Sequence, residues 1–333
     1  MSININDIII GKKIGEGFIG TIYLATHKNK KYALKIEHIL EKNIKKSLKS
    51  QVWRENEFAN TLGKKYPDQF MILYDYKITD SCKHIQKIPN ANLSKKVKQH
   101  LQELAESEYC IMRLYSYVDT TLENIITKLS LKQRFSMIIQ VSYIVYLMQK
   151  HGYKHTDFHY GNIGVKYTHK SSVKILDKKI PTFGYIYCAI DYGLVLNKKY
   201  KLSKDEKYRF DTKNDLKNLF ATMYNDDKLI KYWLKLVNSK KLIYDYDADI
   251  KLFDKTLEQK ILEKITDDKN IQFELFSIIF PDAFQKILLK QYVPKKPFDV
   301  ILYIPLEQII HFASIINEPK KCIEYFYDKL SII

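Results

Sequence analysis

Ile22 and Leu24 alternate with less apolar neighbours, "HKNKK" follows as a polar turn, and Tyr32, Leu34 and Ile36 resume the alternation. Period-two patterning on both sides of a turn predicts a β-hairpin. The period then changes. In "KSQVWRENEFANTLGKKY", Val52, Glu55, Phe58 and Leu62 share one helical face, and Gly63 is placed to stop the helix. Glu55 lies on that apolar stripe, whereas Glu57 points to the opposite side. Tyr109–Met112 reads as a buried strand, followed by a linker and a helix start at "TTLE", a capping-box-like signature. "LKQRFSMIIQVSYIVYLMQKHGY" is helical in period and apolar around much of its circumference, which predicts a buried helix. After Lys213, "DKLIKYWLKLV", "KTLEQKILEKI", "DAFQKILLKQY", "LEQIIHFASII" and "KKCIEYFYDKLSI" predict helices whose apolar stripes pack as core. "NANLSKKVKQH" predicts a surface insertion. The fold class expected is α+β: a strand-rich N-terminal third with one main helix, then a mainly helical remainder, without internal repeats or long linkers.

Composition narrows the class. At 46% hydrophobic and 28% charged, the 333 residues suit a globular chain rather than a disordered one. No apolar run reaches the roughly 18 residues of a membrane span, and "MSININDIIIGKK" lacks the pattern of a secretory signal. A cytoplasmic location is expected. The formal net charge is +17, yet only four of the 55 basic residues are arginines: Arg54, Arg113, Arg134 and Arg209. Bidentate base or phosphate readout leans on arginine, so nucleic-acid contact through the basic surface is not favoured, and the lysines read mainly as solvated surface. Cys82, Cys110, Cys188 and Cys322 form no CxxC pair and read as thiols in a reducing compartment.

Candidate chemistry begins at Gly15, Gly17 and Gly20, a GxGxxG that opens a hairpin rather than a helix. A dinucleotide fingerprint must open a helix, so this loop is of the other kind, in which bare backbone between antiparallel strands closes over phosphates. Lys35, in "YALKIE", falls on the second arm of the hairpin, flanked by strand-core residues, and Glu55 is its expected ion-pair partner. "KHTDFHYGN" places His155, Asp157, His159 and Asn162 directly after the buried helix, with Asn162 five residues past Asp157. A metal-hydrolase reading would need a further geometric set of His or Asp ligands. The alternative is the HxDxxxxN spacing of a phosphotransfer loop, in which an aspartate takes the acceptor proton and an asparagine holds metal. "CAIDYGLV" then sets Asp191 after two apolar strand residues.

In this order the motifs resemble the eukaryotic protein kinase superfamily, and within it the casein kinase 1 and vaccinia-related kinase group: "ALKIE", "TTLENI", "GYKHTDFHYGNIGV" and "AIDYGLV" carry the likeness. The hairpin "KILDKKIPTFGYIYCAIDYG" looks more like kinase homologues of large cytoplasmic DNA viruses, for which host cytoplasm and virion would be the locations. The resemblance covers residues 11–220 and implies a single two-lobed domain, with an N-lobe at about 1–112, a hinge at about 113–118 and a C-lobe at about 119–333. It implies ATP with Mg²⁺, or Mn²⁺ in its place. Nucleotide contacts would come from Gly15, Glu16, Gly17, Gly20, Ile22, Ala33, Lys35, Ile163 and Val165, with Met112 as gatekeeper and Arg113–Tyr115, Leu114 among them, as adenine hinge. Asp157 is the implied base, Asn162 and Asp191 the metal ligands, and His155 and Asp215 structural supports of the loop.

Four departures stand out. Thr156 replaces an arginine that would grip an activation-loop phosphate, so loop phosphorylation is not the expected switch. His159 replaces a lysine and gives "DFHYGN" a likeness to aminoglycoside- and choline-type kinases; when protonated it could stabilise γ-phosphate charge. The segment between Asn162 and Asp191 is long and is expected to form an extended β-hairpin over the C-lobe. No APE motif follows Asp191, and only 23 residues separate it from Asp215. The function expected is a monomeric serine/threonine protein kinase acting on acidic protein substrates. A small-molecule phosphotransferase and a catalytically silent scaffold or virion component are the alternatives.

Overall fold

The computed structural model describes residues 3–17, 20–80, 82, 95–216, 218–219 and 318–332. The chain divides into two compact units: Met1–Asp119 with His151–Thr156 and Cys188–Thr212, and Thr120–Lys150 with Asp157–Tyr187 and Lys213–Ile333. It is a mixed α+β protein.

The first unit is built on a five-stranded antiparallel sheet: β1 (Ile9–Glu16), β2 (Gly20–His27), β3 (Lys30–His38), β4 (Leu73–Thr79) and β5 (Cys110–Ser116), in the order β1-β2-β3-β5-β4. The expected hairpin is β2–β3. It turns on Lys28 and Asn29, both left-handed (φ 48° and 63°), as a two-residue hairpin loop with the strands' own twist requires. Register divides the sheet's chemistry. Ile22 lies opposite Lys35 and Lys35 opposite Arg113, so these three share a face with Ala33, Glu37 and Tyr115. On the other face Ile5, Ala25, Tyr32, Leu34 and Leu114 form an apolar cluster, with Ile36 and Met112 packed against it.

The helix expected after Ser50 is α1 (Gln51–Phe58), continued by a π-type turn at Ala59–Gly63. Gly63 does not stop it: the chain stays helical through Lys65. The glycine is needed for close approach instead, because a Cβ there would collide with the Met71 carbonyl. Glu57 points away from Lys35, as expected, and accepts from Tyr153 (2.7 Å), Tyr200 (2.5 Å) and Lys199 (2.5 Å). Burial raises the Glu57 pKa, but these donors outweigh it and hold the carboxyl below its ordinary range. A depressed carboxylate stabilises the fold above its unfolded pKa and loses that contribution as pH falls through the folded value. Glu57→Gln is therefore expected to cost about 1–3 kcal/mol at neutral pH and to flatten the acid limb of a stability profile measured by urea unfolding.

Of the segment expected as a surface insertion, residues 95–100 are helical and begin α2 (Lys95–Ala105), which buries Leu101 and Leu104; 90–94 lie outside the described residues.

The second unit begins with β6 (Thr120–Thr121) and the single turn α3 (Leu122–Ile125), where Thr121 is the N-cap residue but makes no side-chain cap bond. The apolar run that follows is α4 (Leu131–Lys150), with Phe135, Ile138, Ile139, Val141, Ile144 and Val145 fully buried. The chain returns to the first unit at β7 (Tyr153–Lys154) before β8 (Ile163–Tyr167) pairs with β6. The long segment after Asn162 does form a hairpin, β9 (Ser172–Ile175) with β10 (Lys178–Pro181). It is tied to α4 by Ser136, which donates to the Pro181 carbonyl at 2.6 Å. Then come β11 (Tyr185–Ala189), beside β8, and β12 (Leu196–Asn197), beside β7. α5 (Lys204–Thr212) follows, and the C-terminal α6 (Pro319–Ile332) packs on α4 through Phe326 against Phe135 (ring centroids 5.6 Å) and a Ser142–Cys322 contact of 3.3 Å. The other four helices expected after Lys213 lie outside the described residues. Among the described residues no helix is long and apolar enough to cross a membrane.

Two expectations are corrected here. The strand expected to end at Met112 continues to Ser116. Cys82 and Cys110 form a disulfide with Cα atoms 5.4 Å apart, a separation within the range that a bridge spans; of the four expected thiols, Cys188 and Cys322 remain. A sequence separation of 28 carries no pairing signal, and only sheet register brings the two sulfurs together.

Candidate functional site

The glycine turn joins β1 to β2. Gly17 N–H donates to the Gly20 carbonyl (2.8 Å), and Gly15 pairs with Ile22. Gly20 has no room for a side chain: a Cβ would stand 2.8 Å from the Ile36 carbonyl oxygen and closer still to Glu37. Glu16, at the end of β1, forms an exposed 2.5 Å ion pair with Lys13. Ile22 and Ala33 share the sheet face of Lys35, so these expected contacts come together on one surface.

Lys35 is the hub of the first unit. Its Nζ lies 3.0 Å from Glu55 Oε1, 2.9 Å from Glu37 Oε1 and 3.0 Å from Asp191 Oδ1. Burial pulls the ammonium pKa down, but Asp191, Glu37 and Glu55 together outweigh burial and the nearby Arg113 and hold it well above the ordinary lysine value. Lys35 is therefore charged throughout the physiological range. The Lys35–Glu55 pair is the one expected from the helix stripe. Asp191 is held down to about 2, first by Lys35 and against burial, with a Gly193 N–H contributing. Half of the Asp191 side chain is exposed (48%), so solvent screens part of that pull.

Arg113 was not expected in this cluster. It is fully buried and donates to Asn56 Oδ1 (2.6 Å), to Glu37 Oε2 and to the Val52 carbonyl (2.9 Å), with Glu55 Oε2 3.5 Å away. Tyr115 donates to Glu55 Oε1 at 2.8 Å. The assignment of Met112 as gatekeeper and of Arg113 and Leu114 as hinge is thus corrected. Met112 and Leu114 face the opposite, apolar side of the sheet, and residues 112–114 pair with β3 on one edge and β4 on the other. Backbone engaged on both edges has no donor or acceptor left for a ligand base. Tyr115, like Arg113, stands on the face of β5 beside the Lys35–Glu55 pair. Alternation along "CIMRLYS" signals that face once the strand's true length is known.

Asp191 itself is left-handed (φ 55°), which turns the chain after β11. Tyr192 is buried against Phe58 (centroids 4.6 Å), and its hydroxyl donates to the Ala189 carbonyl (2.8 Å) and accepts from Met71 N–H. Its phenol oxygen is thereby satisfied in the core. His155 is fully buried with Nε2 3.2 Å from the Ile190 carbonyl, and Thr156 (φ 61°) donates to the Leu194 carbonyl at 2.7 Å. Both residues brace the segment around Asp191 from within the first unit.

The second unit holds Asp157, His159 and Asn162 together on one loop. Asn162 Nδ2 donates to the Asp157 carbonyl (2.9 Å) and stands 3.4 Å from Asp157 Oδ2. Gly161 N–H donates to His159 Nδ1 (3.2 Å), so in the neutral ring the proton is on Nε2, which stands 3.8 Å from Asp157 Oδ2. Asn218 Nδ2 donates to the Phe158 carbonyl (2.9 Å) and so supports the loop backbone, a role that sequence reasoning gave only to Asp215, itself buried on the same helical segment. Ile163 and Val165 follow on β8, both fully buried. Gly161 is required here: an alanine Cβ would lie 2.9 Å from His159 Cε1 and 3.0 Å from Nδ1. Gly161→Ala is expected to expel the imidazole, remove the Nδ1 hydrogen bond from the ¹⁵N spectrum of His159, and lower stability by about 1–2 kcal/mol.

No family model matches the chain, and no curated protein matches it.

Proposed function

We propose that the protein is an ATP- and Mg²⁺-dependent phosphotransferase of the protein-kinase type, two-lobed in fold, that phosphorylates serine or threonine hydroxyls of protein substrates. The observation that carries this reading is the Lys35 cluster: a permanently charged ammonium held by Glu55 and Asp191 on the sheet face that Gly15 and Ile22 share. A fixed cation beside a bare glycine turn suits phosphate oxygens, whose charge it stabilises without reorganising. Asp157 accepts the acceptor hydroxyl's proton, and Asn162 fixes its carboxylate. His159 presents Nε2–H beside that carboxylate as a donor for phosphoryl oxygen.

The donor chemistry fits Mg²⁺. Asn162 uses its Nδ2 toward Asp157, which leaves the amide oxygen as a hard ligand, and Asp191 is an ionised, half-exposed carboxylate. When bound, the ion neutralises phosphate charge.

His159, placed by its own loop next to Asp157, favours a second reading, transfer to a small hydroxylated acceptor. Purified protein with γ-labelled ATP and Mg²⁺, alone and with acidic protein substrates, separates the two. Label on protein, lost in Asp191→Ala, supports the proposal. ADP release only with a small hydroxylated acceptor supports the second reading. ATP binding with neither product would leave the fold as a scaffold and refute both.

A further inference from the structure

We propose that His38, Cys82 and Cys110 form a zinc site that loads when the Cys82–Cys110 bridge is reduced. The site lies in the first unit, and its existence does not depend on the phosphotransfer reading. His38 and Cys110 are direct cross-strand partners at the last rung of β3–β5, both buried (5% and 1% exposed). Cys82 follows β4 and is fixed by its N–H, which donates to the Glu108 carbonyl at 2.9 Å. One ligand atom from each of the three residues falls within 4.8 Å of the others.

The histidine is already set as a metal ligand. Its Nδ1 stands 2.9 Å from the Ser107 carbonyl, which can only accept, so Nδ1 carries the proton and Nε2 the lone pair. Nε2 is aimed at Cys82 Sγ, 3.7 Å away. Tetrahedral zinc with ordinary Zn–N and Zn–S bonds separates two such ligands by about 3.6 Å. A backbone carbonyl on the far ring nitrogen is the usual outer partner of a zinc histidine. Once the bridge is reduced, two thiolates and a neutral imidazole offset the charge of Zn²⁺ in a buried place. Zinc accepts this mixed soft and borderline donor set. Cys82 is only half-buried, so water can take the fourth position.

The chemistry balances. A dithiol reductant gives two electrons and two protons to the S–S bond and leaves as its own disulfide, and Zn²⁺ then displaces the two thiol protons. The bridge ties the segment after β4 to β5, and the metal would tie the same two to β3 through His38.

The test uses the full chain, metal-free, either oxidised or treated with a phosphine reductant, and titrated with Co²⁺ followed by Zn²⁺. The proposal expects one Co²⁺ in the reduced protein, with a thiolate-to-cobalt charge-transfer band and intense tetrahedral d–d bands that Zn²⁺ abolishes. It expects no such spectrum in the oxidised protein or in Cys82→Ser, a half-buried position where the smaller hydroxyl leaves little cavity. Three results would overturn it: no tetrahedral spectrum in reduced protein whose circular dichroism matches the oxidised form; the same spectrum surviving in Cys82→Ser; or a bridge that the reductant does not open while the protein stays folded.

Discussion

Arg113→Leu is expected to lower the unfolding free energy by about 3–5 kcal/mol, the cost of leaving a buried charge without its partner. Arg113 and Lys35 both face Glu37 and Glu55, Lys35 also pairs with Asp191, and Arg113 is the more deeply buried of the two. Burial pushes the Glu37 pKa up, but Lys35 and Arg113 overcome it and hold the carboxyl below its ordinary value. Without Arg113 that balance tips. A depressed carboxylate stabilises above its unfolded pKa and loses the contribution as pH falls through the folded one. The deficit of Arg113→Leu is therefore largest at neutral pH and narrows in acid, where Glu37 protonates in wild type and variant alike. Glu37→Gln in the same chain is expected to restore part of the loss, because it removes the charge left uncompensated. Urea unfolding of wild type, both single variants and the double variant measures the coupling. A loss below about 1 kcal/mol in the single arginine variant would sink the account, since that is the scale of an exposed pair.

On the proposed function, with Asp157 as general base, Asp157→Asn is expected to lower the phosphotransfer rate by about 10²–10⁴-fold, the range for removing such a base. Stability should hardly change: the Asp157 side chain is 46% exposed, and its backbone carbonyl, the stronger partner of Asn162, is untouched. On the same proposal ATP affinity should also hold, because the Lys35 cluster is intact, so the loss falls on kcat rather than KM. Single-turnover transfer with nucleotide binding measured in parallel separates these quantities. A variant within about threefold of wild type would remove Asp157 from the chemistry.

Legibility followed the range of the interactions involved. The β2–β3 hairpin rests on period-two alternation around a polar turn, and α4 on an apolar run, both local signals. Lys35 and Glu55 were paired correctly because Glu55 lay on the apolar stripe of its helix and Lys35 on the second arm of the hairpin, flanked by strand-core residues. Asp157, His159 and Asn162 meet because five residues of loop hold them, so spacing sufficed. The end of β5 was misjudged for a physical reason. Arginine is almost never buried without a partner, so Arg113 reads as the place where a strand emerges into solvent. Glu37, which makes its burial tolerable, is 76 residues away. That single error shifted the gatekeeper and hinge onto residues whose side chains or backbone are committed to the sheet.

The amino-acid sequence by itself determined the local elements, their buried stripes and the order of the candidate motifs, because periodicity and loop spacing are properties of neighbouring residues. Tertiary structure alone decided which charges share a buried cluster, which face of β5 looks toward Lys35, and that Cys82 meets the His38–Cys110 rung. Those outcomes depend on strand register, and register is set by pairing between segments that carry no local mark of one another.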